Sequence, residues 1–327
     1  MISIPFTAAN YPPKCAIANG NGSLDISWAE LVWAAITVGK RSWRHVLQHG
    51  PFSRFEMVYR GAMIYANLIE TPSGNAYRSS AYEGLDPSEK SAISYFLGLA
   101  VSKAFVAKTL RVPWLMHVDI YREQFGLQLV PFGGRPDLFG RDRAGRWVVL
   151  EAKGRTNGHD EAALQRAKTQ ASLVEQIDGK APYLSIGLVS SFSNGRLSLV
   201  TDDPAPKKRQ SKLRWQVTEG EFLAAYYQPF RAMFEQIPTR VEQISGRRVI
   251  LVESDFADLS IGVAENTLSA PDANSLAADD EKKAGAHGVI AEKSGEREFL
   301  GIDGVFVRLG ASWSDGLMRL EPQVRQA

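Results

Sequence analysis

The order of helix-like and strand-like segments predicts an α/β (α+β) fold, in which a central mixed sheet is flanked by helices. Three observations predict it. A helical segment begins at Asp86, three strand-like segments lie between residues 114 and 154, and a helical segment at 160–177 leads into a fourth strand at 182–192. The 327 residues, of which 44% are hydrophobic, are enough for one large or two modest domains.

The first 80 residues are predicted to form an N-terminal helical region. Ser27 and Glu30 have the spacing of a capping box, and the apolar run WAELVWAAI has helical periodicity. Aromatic residues at helical spacing usually pack inward, so those of this region are expected to fill a core, with a nucleic-acid stacking surface as the alternative. These residues are Trp33, Trp43, Phe52, Phe55 and Tyr59.

Residues 81–200 are predicted to form the central unit of the fold. Asp86 can cap its first helix, with Pro87 at the first helical position and Glu89 three residues after the cap, and this helix is expected to run to about Leu110. The remaining elements are expected to be strands at 114–121, 126–140 (with a glycine-rich irregularity) and 146–154, a helix at 160–177 and a strand at 182–192.

The rest of the chain is predicted to pack on this unit or extend from it. Residues 201–263 are expected to hold a basic loop, a helix at 219–237 interrupted or kinked near Pro229, and a strand at 248–254. Residues 264–285 have the composition of a flexible connector. Residues 286–327 are expected to form a β-hairpin extension, with Ser294-Gly295 and Asp303-Gly304 as turn candidates.

The composition narrows the classes of function. With 38 basic and 36 acidic side chains the formal charge is only +2, so the total charge names no partner. Cys15 is the single cysteine, which excludes an intrachain disulfide and multi-cysteine metal sites and favours a reducing compartment, the cytoplasm. The sequence shows neither a secretory signal nor an uninterrupted apolar stretch of membrane-spanning length, so no membrane span is expected. Nucleotide-binding glycine loops, HExxH and GxSxG are also missing from the sequence.

A catalytic site is indicated by one segment of the sequence, RPDLFGRDRAGRWVVLEAKGR, residues 135–155. Asp142 and Gly145 are turn formers between two strand-like runs, and folding the chain about Ala144 pairs residues whose numbers sum to 288. Asp137 then lies opposite Glu151. Two like charges opposed in this way are destabilising unless a cation sits between them.

Lys153 completes this group. It follows Glu151 by two residues, so strand alternation places its ammonium on the face that carries both carboxylates. Oxygen ligands with few protein donors suit Mg²⁺, which keeps several waters and shares its coordination with substrate phosphates. The arrangement indicates metal-assisted attack of water on a phosphodiester.

Pro136-Asp137, followed by Glu151-Ala152-Lys153 at the end of an apolar strand, resembles the motif of the PD-(D/E)xK nuclease superfamily. The element order from about 86 to 192 is similar to that superfamily's restriction-endonuclease-like core. The resemblance implies that Asp137 and Glu151 bind Mg²⁺ (or Mn²⁺), joined by the backbone carbonyl of Ala152. It also implies that Lys153 orients or activates the attacking water and stabilises developing negative charge.

Members of that superfamily often carry further polar residues on the flanking helices. The candidates here are Glu89 in the first helix, and Gln165 and Lys168, which share a face of the second. Alternatives stay open for each residue. Glu89 also fits a capping role, Gln165 and Lys168 also fit a solvated helix face, and the two carboxylates also fit a surface ion-pair lattice with Arg135, Arg146 and Lys153.

The charge distribution favours a polyanionic substrate. Residues 131–215 contain 15 basic and nine acidic side chains, so the region around the carboxylates is basic. The residues that could contact backbone phosphates are Arg135, Lys207, Lys208, Arg209, Lys212 and Arg214. The sequence therefore predicts a metal-dependent DNA endonuclease, with DNA a more fitting substrate than RNA and with flanking regions that shape a groove or a homodimer contact. The alternative is a non-catalytic nucleic-acid- or protein-binding module with the same architecture.

Overall fold

The computed structural model describes residues 1–38, 51–128, 134–203, 213–254, 258–269 and 297–313. Its architecture is the predicted mixed α/β class, with a central mixed sheet flanked by helices. The helices are α1 Trp28–Val38, α2 Pro51–Asn67, α3 Ser80–Glu83, α4 Pro87–Leu110, α5 Val118–Tyr121, α6 Glu161–Ala171, α7 Glu219–Gln236 and α8 Glu265–Ser269.

The strands form three sheets over the same residues. They are β1 Ile2–Ala9, β2 Gly20–Ile26, β3 Leu68–Glu70, β4 Ala76–Arg78, β5 Trp114–His117, β6 Leu138–Arg141, β7 Trp147–Arg155, β8 Val174–Ile177, β9 Leu184–Ser193, β10 Arg196–Asp202, β11 Leu213–Trp215, β12 Arg240–Ile244, β13 Arg247–Ser254, β14 Leu259–Ala264, β15 Glu298–Leu300 and β16 Val305–Leu309.

The central sheet has the strand order β2-β1-β10-β9-β7-β6-β5, with β3 and β4 attached beside β10. Two of its pairings are parallel, β1 with β10 and β7 with β9, and the other pairings are antiparallel. Strand β7, which carries Glu151 and Lys153, lies inside the sheet between β6 and β9. Glu151 and Lys153 are therefore held by pairing with β9, and Asp137 reaches Ala152 from the β6 side.

The N-terminal region contains strands as well as the predicted helices. Helices α1 and α2 are present, and Ser27 Oγ accepts the Glu30 N–H at 3.1 Å as the capping pattern predicts. Residues 2–9 and 20–26, however, form strands that join the central sheet. In β1 the buried residues Ile2, Ile4 and Phe6 alternate with period 2, as in a strand. This strand joins the central sheet by pairing with β10, about 190 residues further along the chain.

Helix α4 is formed as predicted. Asp86 Oδ1 accepts the backbone N–H groups of Ser88 and Glu89, the Glu89 side chain accepts from Asp86 N at 3.2 Å, and the helix ends at Leu110. Among the described residues it alone is long and apolar enough to cross a membrane, but 78% of its most apolar window is buried inside the fold. It is the core helix of the sheet.

Three predicted elements have different bounds. The strand expected at 114–121 ends at His117, where α5 begins, and the strand expected at 126–140 is a strand only in β6, with residues 129–133 outside the described part. The helix expected at 160–177 ends at Ala171 and is followed by β8, which pairs with β11. The β-branched Val174 and Ile177 are fully buried there, so tertiary packing overrides the helical pattern.

Helices α4 and α6 cover opposite faces of β7 and β9. A Cβ at Gly154 would collide with the Ser94 carbonyl of α4, and a Cβ at Gly187 would lie 2.8 Å from the Lys168 nitrogen of α6. Gly187 pairs with Glu151, so it shares the face of Glu151, whereas Gly154 lies on the other face by alternation. The carboxylate and the ammonium therefore lie on the α6 face of the sheet.

Gly154→Ala is expected to lower the free energy of unfolding by about 1–3 kcal/mol, because α4 must move away from β7 to admit the methyl group. The matched control is Gly158→Ala, whose Cβ would meet open space. Chemical denaturation of both variants checks this. Equal stability of the two would show that the close approach of α4 is not required.

The aromatic residues of the N-terminal region are divided between core and surface. Trp33 is buried as expected, and Trp43 lies outside the described residues. Phe52, Phe55 and Tyr59 are 73%, 57% and 50% exposed, so the expectation that they fill a core is wrong. Among the residues of α2 whose burial is described, the buried ones lie at its C-terminal end and include Arg60, Met63, Ile64 and Asn67.

The C-terminal strands form a five-stranded antiparallel sheet in the order β12-β13-β14-β16-β15. The predicted turn at Asp303-Gly304 joins β15 to β16, with Gly304 at φ 75°, whereas Ser294-Gly295 lies outside the described residues. Helix α7 runs through Pro229 without a break. Of the expected connector at 264–285, the described part is Ala264, the last residue of β14, and the short helix α8.

A buried polar network ties this sheet to α4. Lys103 is fully buried and donates to the Pro113 carbonyl and to Tyr226 Oη at 3.3 Å, and Tyr226 Oη donates to Asp303 Oδ2 at 2.6 Å. Tyr227 Oη donates to the Asp303 carbonyl at 2.7 Å. Burial lowers the pKa of Lys103 to about 8 and raises the pKa of Asp303, and the opposite charges limit both shifts.

Candidate active site

The predicted register of the site hairpin is confirmed. Leu138 pairs with Leu150 and Phe139 with Val149, so the paired numbers sum to 288. The turn between the strands is closed by bonds from Asp142 N to the Arg146 carbonyl and from Gly145 N to the Asp142 carbonyl, each 3.0 Å. Gly145 has φ 76°, a conformation that glycine adopts without strain.

Asp137 lies immediately before β6 and faces β7. Its Oδ2 accepts the Ala152 N–H at 3.0 Å, and its backbone carbonyl accepts the Val118 N–H at 2.9 Å. In a strand, the N–H and C=O of one residue point to the same edge, so the Ala152 carbonyl is directed to the same side as its N–H. The pattern brings the Asp137 carboxylate and the Ala152 backbone together.

Glu151 and Lys153 are two residues apart on β7, so their side chains lie on the same face of the strand. The Glu151 side chain is 1% exposed, and its Oε1 accepts from Lys153 Nζ. Its Oε2 is buried and has no hydrogen-bond partner among the described residues. Lys153 is 27% exposed, so its ammonium lies where the buried carboxylates meet the surface.

The positive charge near Asp137 and Glu151 is too small to keep both carboxyl groups ionised, as their pKa shifts indicate. Burial raises the pKa of Glu151 to about 8, with the neighbouring Asp137 charge as the next cause, and the Lys153 ammonium opposes the shift. Burial also raises the pKa of Asp137, against the effect of the Lys153 and His117 charges. Two buried carboxyl groups in contact therefore retain a proton unless a cation replaces it.

These residues fit a hard divalent cation. The unpartnered Glu151 Oε2 and the Asp137 carboxylate are oxygen donors of the kind that Mg²⁺ prefers, and the Ala152 carbonyl is a third. The described residues contain no group of three or more His, Cys, Asp or Glu that could hold a metal. A cation at this site would thus draw its remaining ligands from the backbone, from water and from substrate.

In the absence of divalent cations, Glu151→Gln is expected to raise the melting temperature at about pH 8 and above and to have little effect near about pH 4. The raised pKa means that the neutral carboxyl contributes stability that is fully present below the ordinary carboxyl pKa and is lost as the pH rises toward 8. Glutamine keeps the shape without the charge. Thermal melts in chelator across this window check the gain.

The matched control for this prediction is Glu235→Gln, at an exposed position of α7. Its melting temperature should follow that of the parent protein at each pH. The same pH-dependent gain in both variants would contradict a specific charge deficit at Glu151.

The side chains of the accessory candidates are engaged with residues outside this group. Glu89 is exposed and completes the capping box of α4. Gln165 Nε2 donates to Glu161 Oε1 at 2.7 Å, and Lys168 Nζ pairs with Asp202 Oδ2 at 2.6 Å. Each side chain is therefore engaged with a partner other than Asp137, Glu151 or Lys153.

The candidate phosphate contacts are only partly described. Arg135 is 46% exposed and pairs with Asp119 at the entrance to the site, and Arg214 is 56% exposed and pairs with Glu175 at 3.0 Å. Lys207, Lys208, Arg209 and Lys212 lie outside the described residues. Strand β5 ends at His117, so Asp119 lies on the short helix α5 and not on the strand predicted at 114–121.

A shallow depression of about 440 Å³ lies beside Arg135, between residue 134 and the outer side of α6. Its lining residues are Gly134, Gln165, Arg166, Thr169 and Gln170. Gln170 Nε2 donates to the Arg135 carbonyl at 3.0 Å, which ties the depression to the entrance of the site. Gln165 therefore belongs to the wall of a neighbouring surface groove.

Tyr95 is a site neighbour that the sequence does not indicate. It lies on α4, and a Cβ at Gly154 would lie 2.9 Å from its backbone nitrogen. Burial raises the pKa of Tyr95 to about 12, and the charges of Asp137 and Glu151 are the next causes. Helical periodicity alone gives no sign that this exposed tyrosine adjoins the carboxylates, because that proximity depends on how α4 crosses β7.

Comparisons of the chain with protein-family models, with curated proteins and with solved structures find no match.

Proposed function

We propose that this protein is a Mg²⁺-dependent nuclease that hydrolyses phosphodiester bonds, most fittingly a DNA endonuclease with a PD-(D/E)xK, restriction-endonuclease-like core. The observation that carries the proposal is the contact of two buried carboxyl groups, Asp137 and Glu151, with one unpartnered oxygen and with Lys153 at the surface. The order of elements from α4 to β9 also supports it. In addition, Asp137 and Glu151 lie at the same places along the β6–β7 hairpin as the two acidic residues of that superfamily's motif.

The roles follow from the position of each group. Asp137 and Glu151 hold the cation, with the Ala152 carbonyl as a further donor. A cation held there would supply Lewis-acid chemistry, that is, charge neutralisation at phosphorus and a lower pKa of the attacking water. Lys153 donates to Glu151 Oε1 from the rim of the site, so its other N–H groups can orient the water or the scissile phosphate. Arg135, held by Asp119, adds positive charge at the entrance.

The experiment is incubation of the purified protein with plasmid, linear and single-stranded DNA and with RNA, in Mg²⁺, in Mn²⁺ and in chelator. Cleavage of DNA that requires the divalent cation is the expected result. Retention of nucleic acid without cleavage in any metal would contradict the proposal and favour a non-catalytic binding module. Cleavage of RNA alone would correct the substrate from DNA to RNA.

A further inference from the structure

Large exposed hydrophobic side chains are concentrated at one place in the described part of the chain. Four of the six are aromatic and belong to α2 or to the neighbouring position of α4, and the other two are Met1 and Val241. The four are Phe52, Phe55, Tyr59 and Tyr95, here called the aromatic face. Exposed apolar side chains that cluster in this way mark a binding surface more often than single ones do.

The aromatic face is continuous. Phe52, Phe55 and Tyr59 have the spacing i, i+3 and i+7, which aligns them along one side of α2. The buried Phe96 ring links the two helices, with its centroid 6.3 Å from that of Tyr59 and 6.1 Å from that of Tyr95. Phe96 is 6% exposed, so the rings above it rest on a fixed support.

One end of the aromatic face lies at the candidate active site. The Tyr95 backbone packs against Gly154, the residue that follows Lys153 on β7. Burial raises the pKa of Tyr95, and the negative charges of Asp137 and Glu151 add to that rise. The rings therefore end on the α4 side of β7 beside Lys153, and a ligand that covers them reaches the carboxylates, on the α6 side, around the end of that strand.

The chemistry of the face and of its approach fits one class of ligand. Flat rings on a helix stack on nucleobases regardless of sequence, since every base has a π-face. From Phe52 to Tyr59 the helix rises about 10 Å, which matches about three base-to-base steps at stacked spacing. The sequence that leads into the face, residues 31–55, contains Lys40, Arg41, Arg44 and Arg54 and no acidic residue, a charge that complements a polyanion.

We infer that the aromatic face binds the unpaired bases of a single-stranded nucleic-acid segment adjacent to the phosphate at Asp137 and Glu151. The inference deepens the proposed function and rests on it for the position of the cleaved phosphate. It assigns the substrate class as nucleic acid with an unpaired segment, since bases stacked inside a duplex cannot reach the rings.

The test measures binding in chelator, so that it does not depend on cleavage. The probes are a fluorescein-labelled oligothymidylate of roughly 16 nucleotides and a blunt duplex of the same length, followed by anisotropy. Phe52→Ala/Tyr59→Ala should weaken binding of the single strand by about 30-fold, the low end for two lost base stacks. Phe52→Tyr/Tyr59→Phe, which keeps both rings, should bind within about twofold of the parent protein.

The matched control is Val241→Ala, which removes an equally exposed apolar side chain from β12, and it should bind as the parent protein does. Unchanged single-strand affinity in the double alanine variant would overturn the inference, even if the protein cleaves DNA. Loss of affinity in that variant supports the inference, even if the protein cleaves nothing. Sedimentation that shows a dimer in the parent protein and a monomer in the double variant would assign the face to a contact between copies and overturn the inference.

Discussion

Replacement of Asp137 by Asn is expected to reduce Mg²⁺-dependent cleavage by about 10³-fold or more, on the scale of losing a group that acts on the reacting atoms. Asparagine can still accept the Ala152 N–H, so the hairpin should keep its geometry. What is lost is one of the two charges that hold the cation. Initial rates of plasmid nicking, measured with protein whose melting curve matches the parent, check this.

Lys153→Met is expected to reduce the rate by about 10²–10³-fold, because it removes the ammonium that the proposed function assigns to the water and the phosphate and keeps the aliphatic stem. The chain offers matched controls, since Asp178-Gly179-Lys180 repeats the acid-x-Lys spacing in the turn after β8. Asp178→Asn and Lys180→Met should cleave at the parent rate. Full activity in Asp137→Asn or Lys153→Met would remove the catalytic assignment.

Asp303→Ala is expected to lower the free energy of unfolding by about 3–5 kcal/mol, the usual cost of leaving a buried charge uncompensated. The change removes the negative charge that favours the charged form of the buried Lys103, and it removes the carboxylate that accepts from Tyr226 Oη. The β15–β16 turn keeps the bond from Tyr227 to the carbonyl of residue 303 but loses its side-chain link to Tyr226. Urea denaturation at neutral pH measures the loss.

A double-mutant cycle separates the pair from the packing around it. Lys103→Met/Asp303→Asn should be more stable than the sum of the two single changes predicts, because no uncompensated charge remains. Strict additivity would show that the two charges do not stabilise each other. A loss below about 1 kcal/mol in Asp303→Ala would place it in the range of an ordinary surface change and contradict the role of the network.

The local parts of the fold and the site are predictable from sequence. Turn chemistry at Asp142 and Gly145 determines the register of β6 and β7, and the register with period-2 alternation brings Asp137, Glu151 and Lys153 to one face. The cap at Asp86 likewise predicts where α4 begins. Each of these features depends on residues within about 20 positions of one another, so a single chain segment contains the information.

The parts that the sequence does not predict depend on distant contacts. Strand β1 has an alternating pattern, but only its pairing with β10 makes it part of the central sheet. Lys168 has the spacing of a site residue, yet Asp202 on β10 pairs with it. The exposure of Tyr59 follows from which side of α2 meets α4, because helical spacing gives a face without saying whether that face is covered.

The divalent-cation site is tested most directly by calorimetric titration of Mn²⁺ and Mg²⁺ into the parent protein, Asp137→Asn and Glu151→Gln. Because a cation must displace the proton held by Asp137 and Glu151, the parent protein should bind more tightly at about pH 8 than at about pH 6 and should release protons on binding. Both variants should lose this binding. Equal cation affinity in the parent protein and in both variants would contradict a metal site at Asp137 and Glu151.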